Sequence, residues 1–233
     1  FIEKCFNEVA EYTNAFQQKM VMKREVIADK GIWTAKKRYI LNVLDEEGIR
    51  LEKPKLKIMG IEAVRSSTPE VCRGKIKECI NMIMTKEEAD VQKFISDFKK
   101  EFFTMKAEQI SFPRSCNNIR KYRDSNNVFI KGTPIHVKGA LIYNHQIKEM
   151  NLDYKYPYIN DGDKIKFVKL LEANPFKFDV ISYVTKLPTE FNLEKFIDYE
   201  TQFEKTFIDP ISFILNSIGW SAEKKATLES FFE

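Results

Sequence analysis

Apolar residues recur at helical spacing at the start of the chain, where Ile2, Phe6, Val9, Phe16 and Met20 fall roughly on one face and predict a first helix. The pattern then changes. "KREVIAD" and "IWTAKKRYILNVLD" are β-branched and aromatic runs, and Asp29-Lys30-Gly31 between them predicts a tight turn and a hairpin. "DEEG" at 45–48 supplies a second turn and "PKLKIMGIEAV" at 54–64 a further strand. Residues 1–64 therefore read as a helix with an antiparallel meander of three or four strands.

From "SSTPE" onward the periodicity is mostly helical. Ser67 or Thr68 can cap a helix whose first turn takes Pro69. "TKEEADVQKFISDFKKEFF" opens with a capping box, Thr85 to Glu88, and carries Val91, Phe94, Ile95, Phe98 and Phe102 on one core-facing stripe. A polar, basic stretch from Cys116 to Thr133 precedes a helix predicted from Ile135 to about Met150. "DGDKIKFVKLL" at 161–171 reads as a hairpin-like segment, and a last helical stretch from about Leu193 to Ile218 contains Pro210, which should bend or break it. The fold class that follows is α+β: a small antiparallel sheet with a helix, then a mostly helical region with a small β-hairpin element.

Composition narrows the classes. The chain has 233 residues, 43% of them apolar, enough for one substantial core or two modest ones. No window approaches ~18 uncharged apolar residues, and Glu3, Lys4, Glu8 and Glu11 do not suit a signal peptide, so a soluble intracellular chain without a membrane partner is expected. Phe1, already inside an amphipathic pattern, reads as the continuation of something longer. Cys5, Cys72, Cys79 and Cys116 lack metal-knuckle spacing and predict reduced, mostly buried thiols.

The net charge of +4 is mild, so the placement of the 38 Lys and Arg residues matters more than their total. In "TAKKRY" strand alternation would put Lys37 and Tyr39 on one face, and Lys36 and Arg38 on the other with Ile40. A cation beside an aromatic ring can hold a phosphate and pack on a sugar or base; a solvated edge with protective lysines is the alternative. "NNIRKYRDSNNVFIKGTPIHVKGALIYNH" gathers Arg120, Lys121, Arg123, Lys131 and Lys138 just before a helix start flanked by Lys131, Thr133 and His136. Such a start can take an anion and grip a phosphate backbone without reading sequence, or it can be a solvated basic face. Asp161 and Asp163 fit a hairpin turn better than a metal site. His136 and His145 lack the spacing of a zinc helix, and no glycine-rich phosphate loop or complete catalytic constellation is present.

Several blocks in order, "EVIADKGIWTAKKRYILNV", "KLKIMGIEAVRSSTP", "KGTPIHVKGALIYN", "YINDGDKIKFVKLLEANPF" and "LESFFE", together resemble the distal palm and the thumb of family B DNA polymerases, closest to those of T4-like bacteriophages. The resemblance runs over nearly the whole chain. It implies distal palm at 1–64, thumb at 65–220, and a clamp-binding tail at 221–233 bearing Leu228, Phe231 and Phe232; the same apolar knob could instead fold back near Trp220. It implies that Lys36, Lys37, Arg38 and Tyr39 approach the primer strand near its 3′ end. The strand around Lys57 and Gly60 would approach the duplex, with Lys131, Thr133, His136 and Lys138 serving the thumb's grip. Glu25 matches a carboxylate near the metal-binding aspartates and would have an accessory role.

The departures carry weight too. The family's Asp-Thr-Asp motif, fingers and exonuclease do not occur here, and the segment from Glu25 to Trp33 is shorter than in the phage relatives. Two-metal phosphoryl transfer needs bridging carboxylates, so Mg²⁺ would be bound by the missing upstream part and this chain alone is expected to be inactive. A truncated sequence or the C-terminal subunit of a split polymerase would explain this. The implied partners are primer–template DNA, the sliding clamp and the N-terminal part of the polymerase, in the cytoplasm of an infected bacterial host. A free-standing nucleic-acid-binding module without enzymatic activity is the alternative.

Overall fold

A computed structural model describes residues 1–16, 23–61, 65–124 and 128–224. The fold is α+β and divides into two compact units, Phe1–Met59 and Gly60–Glu233.

The first unit contains helix α1 (Ile2–Tyr12) and a meander of β1 (Val26–Ala35), β2 (Arg38–Glu46) and β3 (Ile49–Met59), paired antiparallel in the order β1-β2-β3. Helix α1 is shorter than its apolar pattern predicts. Asn14 takes φ 51°, a left-handed conformation that ends helices, and Phe16 beyond it is fully exposed. Met20 lies outside the described residues, and no residue of α1 is buried.

The first hairpin differs from expectation. β1 runs straight through Asp29-Lys30-Gly31, with bulges around Ala28, and the turn is Lys36-Lys37, where Lys37 adopts φ 63°. Gly31 is needed for close approach rather than for turning: a Cβ there would fall 2.6 Å from Trp33 Cη2 and 2.9 Å from Leu41 Cδ2. The second turn is as expected. Glu47 (φ 54°) and Gly48 (φ 90°) are both left-handed, as a two-residue hairpin loop prefers, and Asp45 Oδ1 accepts the Gly48 N–H at 3.0 Å. β3 begins five residues before Pro54, which is tolerated because β3 is the sheet's edge and its register is irregular opposite Val43–Asp45.

The second unit opens with α2 (Glu70–Thr85) and α3 (Glu88–Phe102). Pro69 itself occupies the N-cap position of α2, so neither Ser67 nor Thr68 caps it. Thr85 is the last residue of α2, its hydroxyl donating to the Asn81 carbonyl at 2.8 Å; the capping box with Glu88 therefore does not form. The α3 stripe is core at Val91, Ile95, Phe98 and Phe102, while Phe94 is half-buried at its margin.

Helix α4 (Ala107–Ile110) leads into β4 (Phe112–Ser115), which pairs with β5 (Lys164–Lys169), itself paired with β6 (Val180–Tyr183). The hairpin-like segment is thus the middle strand of a three-stranded sheet. β4 and β6 escape the sequence pattern because each has four residues, too few to show a period. α5 (Ile135–Glu149) covers one face: Ser182 Oγ donates to the His136 carbonyl at 2.8 Å, and Gly139 lies against β6. Tyr183, one residue on, faces the opposite layer, where its hydroxyl is 2.6 Å from Ser111 Oγ.

That opposite layer holds α6 (Tyr199–Phe203), a π-helical turn (Glu204–Ile208) and α7 (Asp209–Ser217). The chain is neither broken nor restarted at Pro210. The wider π turn just before it accommodates a residue that lacks an N–H and would crowd the Thr206 carbonyl. Phe203 and Phe207 meet Phe98 and Phe102 across this layer, with ring centroids 4.8–5.7 Å apart where α3 contacts them. Buried Gln202 ties the layer to the sheet, donating to the Ile110 carbonyl at 2.7 Å and accepting the Lys169 N–H at 3.2 Å.

Two glycines test this packing in opposite directions. A Cβ at Gly139 would sit 2.5 Å from Ser182 Oγ and 2.8 Å from its backbone nitrogen, whereas one at exposed Gly74 meets nothing within 4 Å. Gly139→Ala is expected to lower unfolding free energy by about 1–3 kcal/mol through overpacking. Gly74→Ala should raise it by about 0.5–1 kcal/mol through helix propensity. Denaturant unfolding of both variants checks the pair.

Candidate nucleic-acid interface

In the first unit, sheet register decides which side chains share a face. Trp33, Tyr39 and Met59 are direct cross-strand partners and form one row; Gly31, Leu41 and Lys57 form the next. Lys36 and Lys37 belong to the turn and stand outside strand alternation, so the expected Lys37–Tyr39 face does not arise that way. The cation in the row next to Tyr39 on its face is Lys57. Its Nζ donates to Glu25 Oε1 at 2.7 Å, a bond that lowers the Glu25 carboxyl and raises the Lys57 ammonium from their ordinary values. Lys36 and Lys37 are exposed and make no ion pair among the described residues; Arg38 adjoins them. Gly60 follows β3 with φ 72°, which favours glycine.

In the second unit, the residues ahead of α5 gather as the sequence suggests. Lys131 is exposed in a turn with Gly132 (φ 85°), and Thr133 Oγ1 donates to the Ile130 carbonyl at 2.7 Å. Pro134 occupies the N-cap position, so no capping side chain competes for the first amides of α5. The His136 ring lies 6.4 Å from that of Phe167; burial, then the charge of Arg114, pushes its pKa down and favours the neutral imidazole. Arg114 carries no sequence signal of this role, because it lies on the four-residue strand β4 and no local pattern connects it with His136.

Lys138 is less available than its neighbours. Its Nζ lies 2.6 Å from Asp179 Oδ1 and 5.0 Å from the centre of the Phe129 ring, and Lys169 approaches Asp179 Oδ2 at 3.4 Å. Burial raises the Asp179 carboxyl, but the two ammonium groups outweigh it and the net direction is down. Beside this trio an open depression of about 700 Å³ is lined by Glu172, Asn174, Lys177 and Phe178.

Asp161 and Asp163 serve the backbone. Asp161 accepts the Ile119 N–H at 3.0 Å and Asp163 the Asn160 N–H at 2.7 Å, holding the turn into β5 against the 3₁₀ turn Ile119–Tyr122, which carries exposed Arg120 and Lys121. Among the described residues no three His, Cys, Asp or Glu side chains group as metal ligands, and no helix is long and apolar enough to cross a membrane. All four cysteines are free thiols; burial pushes Cys72 and Cys116 up to about 11 and Cys79 to about 12, so these three are not poised as nucleophiles.

The chain's last described residues are held at the start of α3. Glu88 Oε1 accepts the Ser221 N–H at 2.7 Å, and Gln92 Nε2 donates to the Ser221 and Glu223 carbonyls at 3.1 and 3.4 Å. Leu228, Phe231 and Phe232 lie outside the described residues.

No family model matches the chain. It is 39% identical over 245 residues to the DNA-directed DNA polymerase of Escherichia phage RB69, covering 100% of this chain and 27% of that protein. With the DNA-directed DNA polymerase of Enterobacteria phage T4 it shares 34% identity over 243 residues, covering 99% of this chain and 26% of the relative. The chain is therefore homologous over essentially its whole length to phage DNA-directed DNA polymerases, about a quarter of whose length it spans.

Proposed function

We propose that the chain is the distal palm and thumb of a family B replicative DNA polymerase, gripping primer–template DNA in template-directed synthesis. The observation that carries this reading is whole-length similarity to two phage DNA polymerases. The cations and rings on the first unit's sheet, and the basic entry to α5 in the second, support it.

In the first unit, Lys36 and Lys37 project from a turn that a strand's phosphates can approach, and Tyr39 with Lys57 offers a ring beside an ammonium group. Contacts of this kind fix a strand's position without reading bases, and a nucleotidyl transfer needs that fixed position for the attacking 3′ hydroxyl. Glu25 neutralises Lys57 when no phosphate is near; a phosphate arriving at Lys57 would exchange one anionic partner for another. Gly60, lacking a Cβ, leaves room for backbone to come close to a duplex.

In the second unit, Lys131, Thr133 and the first amides of α5 form the anion-binding end, with His136 and Arg114 behind them. Lys138 acts through its pair with Asp179, holding the base of α5 to the loop before β6. Mg²⁺ would be held by carboxylates outside this chain and, when bound, would supply activation of the 3′ hydroxyl and charge stabilisation on the transferring phosphate. The tail residues Leu228, Phe231 and Phe232, spaced i, i+3, i+4 in the sequence, are assigned to a groove on the sliding clamp. The host cytoplasm is the matching compartment.

The purified chain with Mg²⁺ and primer–template should incorporate no nucleotide; robust incorporation would overturn the assignment of the metal-binding carboxylates elsewhere. Lys37→Ala and Lys131→Ala should each weaken duplex binding alike for unrelated sequences and reduce the slope of log affinity against log salt by about 1. Fluorescence anisotropy across a salt series reads this, and unchanged slopes would mean that these cations face solvent only. Deleting residues 228–233 should leave DNA affinity and thermal stability unchanged while abolishing clamp-dependent processive synthesis in the full polymerase. A large loss of stability with clamp binding retained would show the tail to be core.

A further inference from the structure

Trp33 is an unusual residue to leave in the open. It is 67% exposed near the turn end of the β1–β2 pair, beside a register shift between Trp33 and Ala35, although tryptophan is among the largest apolar side chains. Its ring does not stand off into solvent. The missing side chain of Gly31 lets it lie back along its own strand, since a Cβ at Gly31 would fall 2.6 and 2.7 Å from Cη2 and Cζ3 of the indole. One side of the ring is thus set against the backbone and the rest is open. Tyr39 is its direct cross-strand partner and Met59, 45% exposed, completes the row.

What would cover this row is indicated by the charges around it. Lys57 stands on the same face in the neighbouring row, and the Lys36-Lys37 turn begins three residues beyond Trp33. An apolar protein surface laid over the rings would desolvate these ammonium groups without offering them partners. A nucleic acid strand end offers phosphates to the lysines and an unstacked base to the rings.

We propose that Trp33 is a stacking platform for the terminal base of a DNA strand, placed by Gly31 and extending the contact made by Lys37 and Tyr39. This rests on the DNA-binding reading above. The chain has two tryptophans, so Trp220→Phe leaves Trp33 as the sole indole reporter. Titrating that protein with a recessed-end primer–template should quench and shift Trp33 emission in parallel with the anisotropy of labelled DNA. A closed dumbbell duplex without ends should bind with far less effect on the emission.

Trp33→Ala should weaken recessed-end binding by roughly 5- to 100-fold while leaving dumbbell binding unchanged. Gly31→Ala, which displaces the ring but retains it, should weaken recessed-end binding in the same direction. If DNA binds with full affinity and Trp33 emission does not respond, the platform is refuted and the DNA-binding reading stands. If neither DNA binds, both fall together. If Trp33→Ala lowers thermal stability with both affinities intact, the indole merely shields Gly31 and the platform is likewise refuted.

Discussion

Each unit depends on the two-residue alternation of a sheet, which gives every strand residue one face and lets register choose its neighbours. In the first unit, that constraint places Trp33, Tyr39 and Met59 in one row and Lys57 in the next, although these residues are scattered over 27 positions of sequence. In the second, it sends Ser182 to α5 and Tyr183 to the opposite layer, so that two successive residues of β6 tie down two different layers. A slip of one residue in either sheet would exchange every one of these contacts.

Register in turn rests on small local features. Lys37 and Glu47, neither of them glycine, both take positive φ in two-residue turns, and Gly48 joins Glu47 in the second. Asp45 braces that second turn from the side, accepting from the Gly48 amide while Arg24 Nη2 holds its other oxygen at 2.8 Å. At Gly139 the absence of a side chain lets α5 sit directly on the β6 backbone.

The electrostatics separates the cations into two groups. Lys57 and Lys138 have carboxylate partners at 2.7 and 2.6 Å, so any phosphate must compete with an existing bond. Lys37 and Lys131 have none among the described residues and are exposed. Partly exposed pairs such as Lys57–Glu25 are worth little in stability, which leaves them free to exchange partners. The Lys138–Asp179–Lys169 trio is more enclosed and serves to join α5 to the sheet.

The sequence by itself determined the α+β class, the long helices α2, α3 and α5, the Glu47-Gly48 turn and the Phe98–Phe102 core stripe, because each is written in local periodicity or turn chemistry. Its chain-length resemblance to phage polymerases was equally legible, since ordered blocks of residues survive without any knowledge of geometry. Tertiary structure alone decided the rest. Asp29-Lys30-Gly31 looks like a turn, yet strand pairing carries β1 through it, since Gly31 is needed beneath Trp33 and Leu41. β4 and β6 are too short to carry a period and exist only through their pairing with β5. Lys57 meets Glu25, and the charge of Arg114 is felt at His136, across separations that no local pattern encodes; such relations are fixed by register and packing, which depend on the whole chain at once.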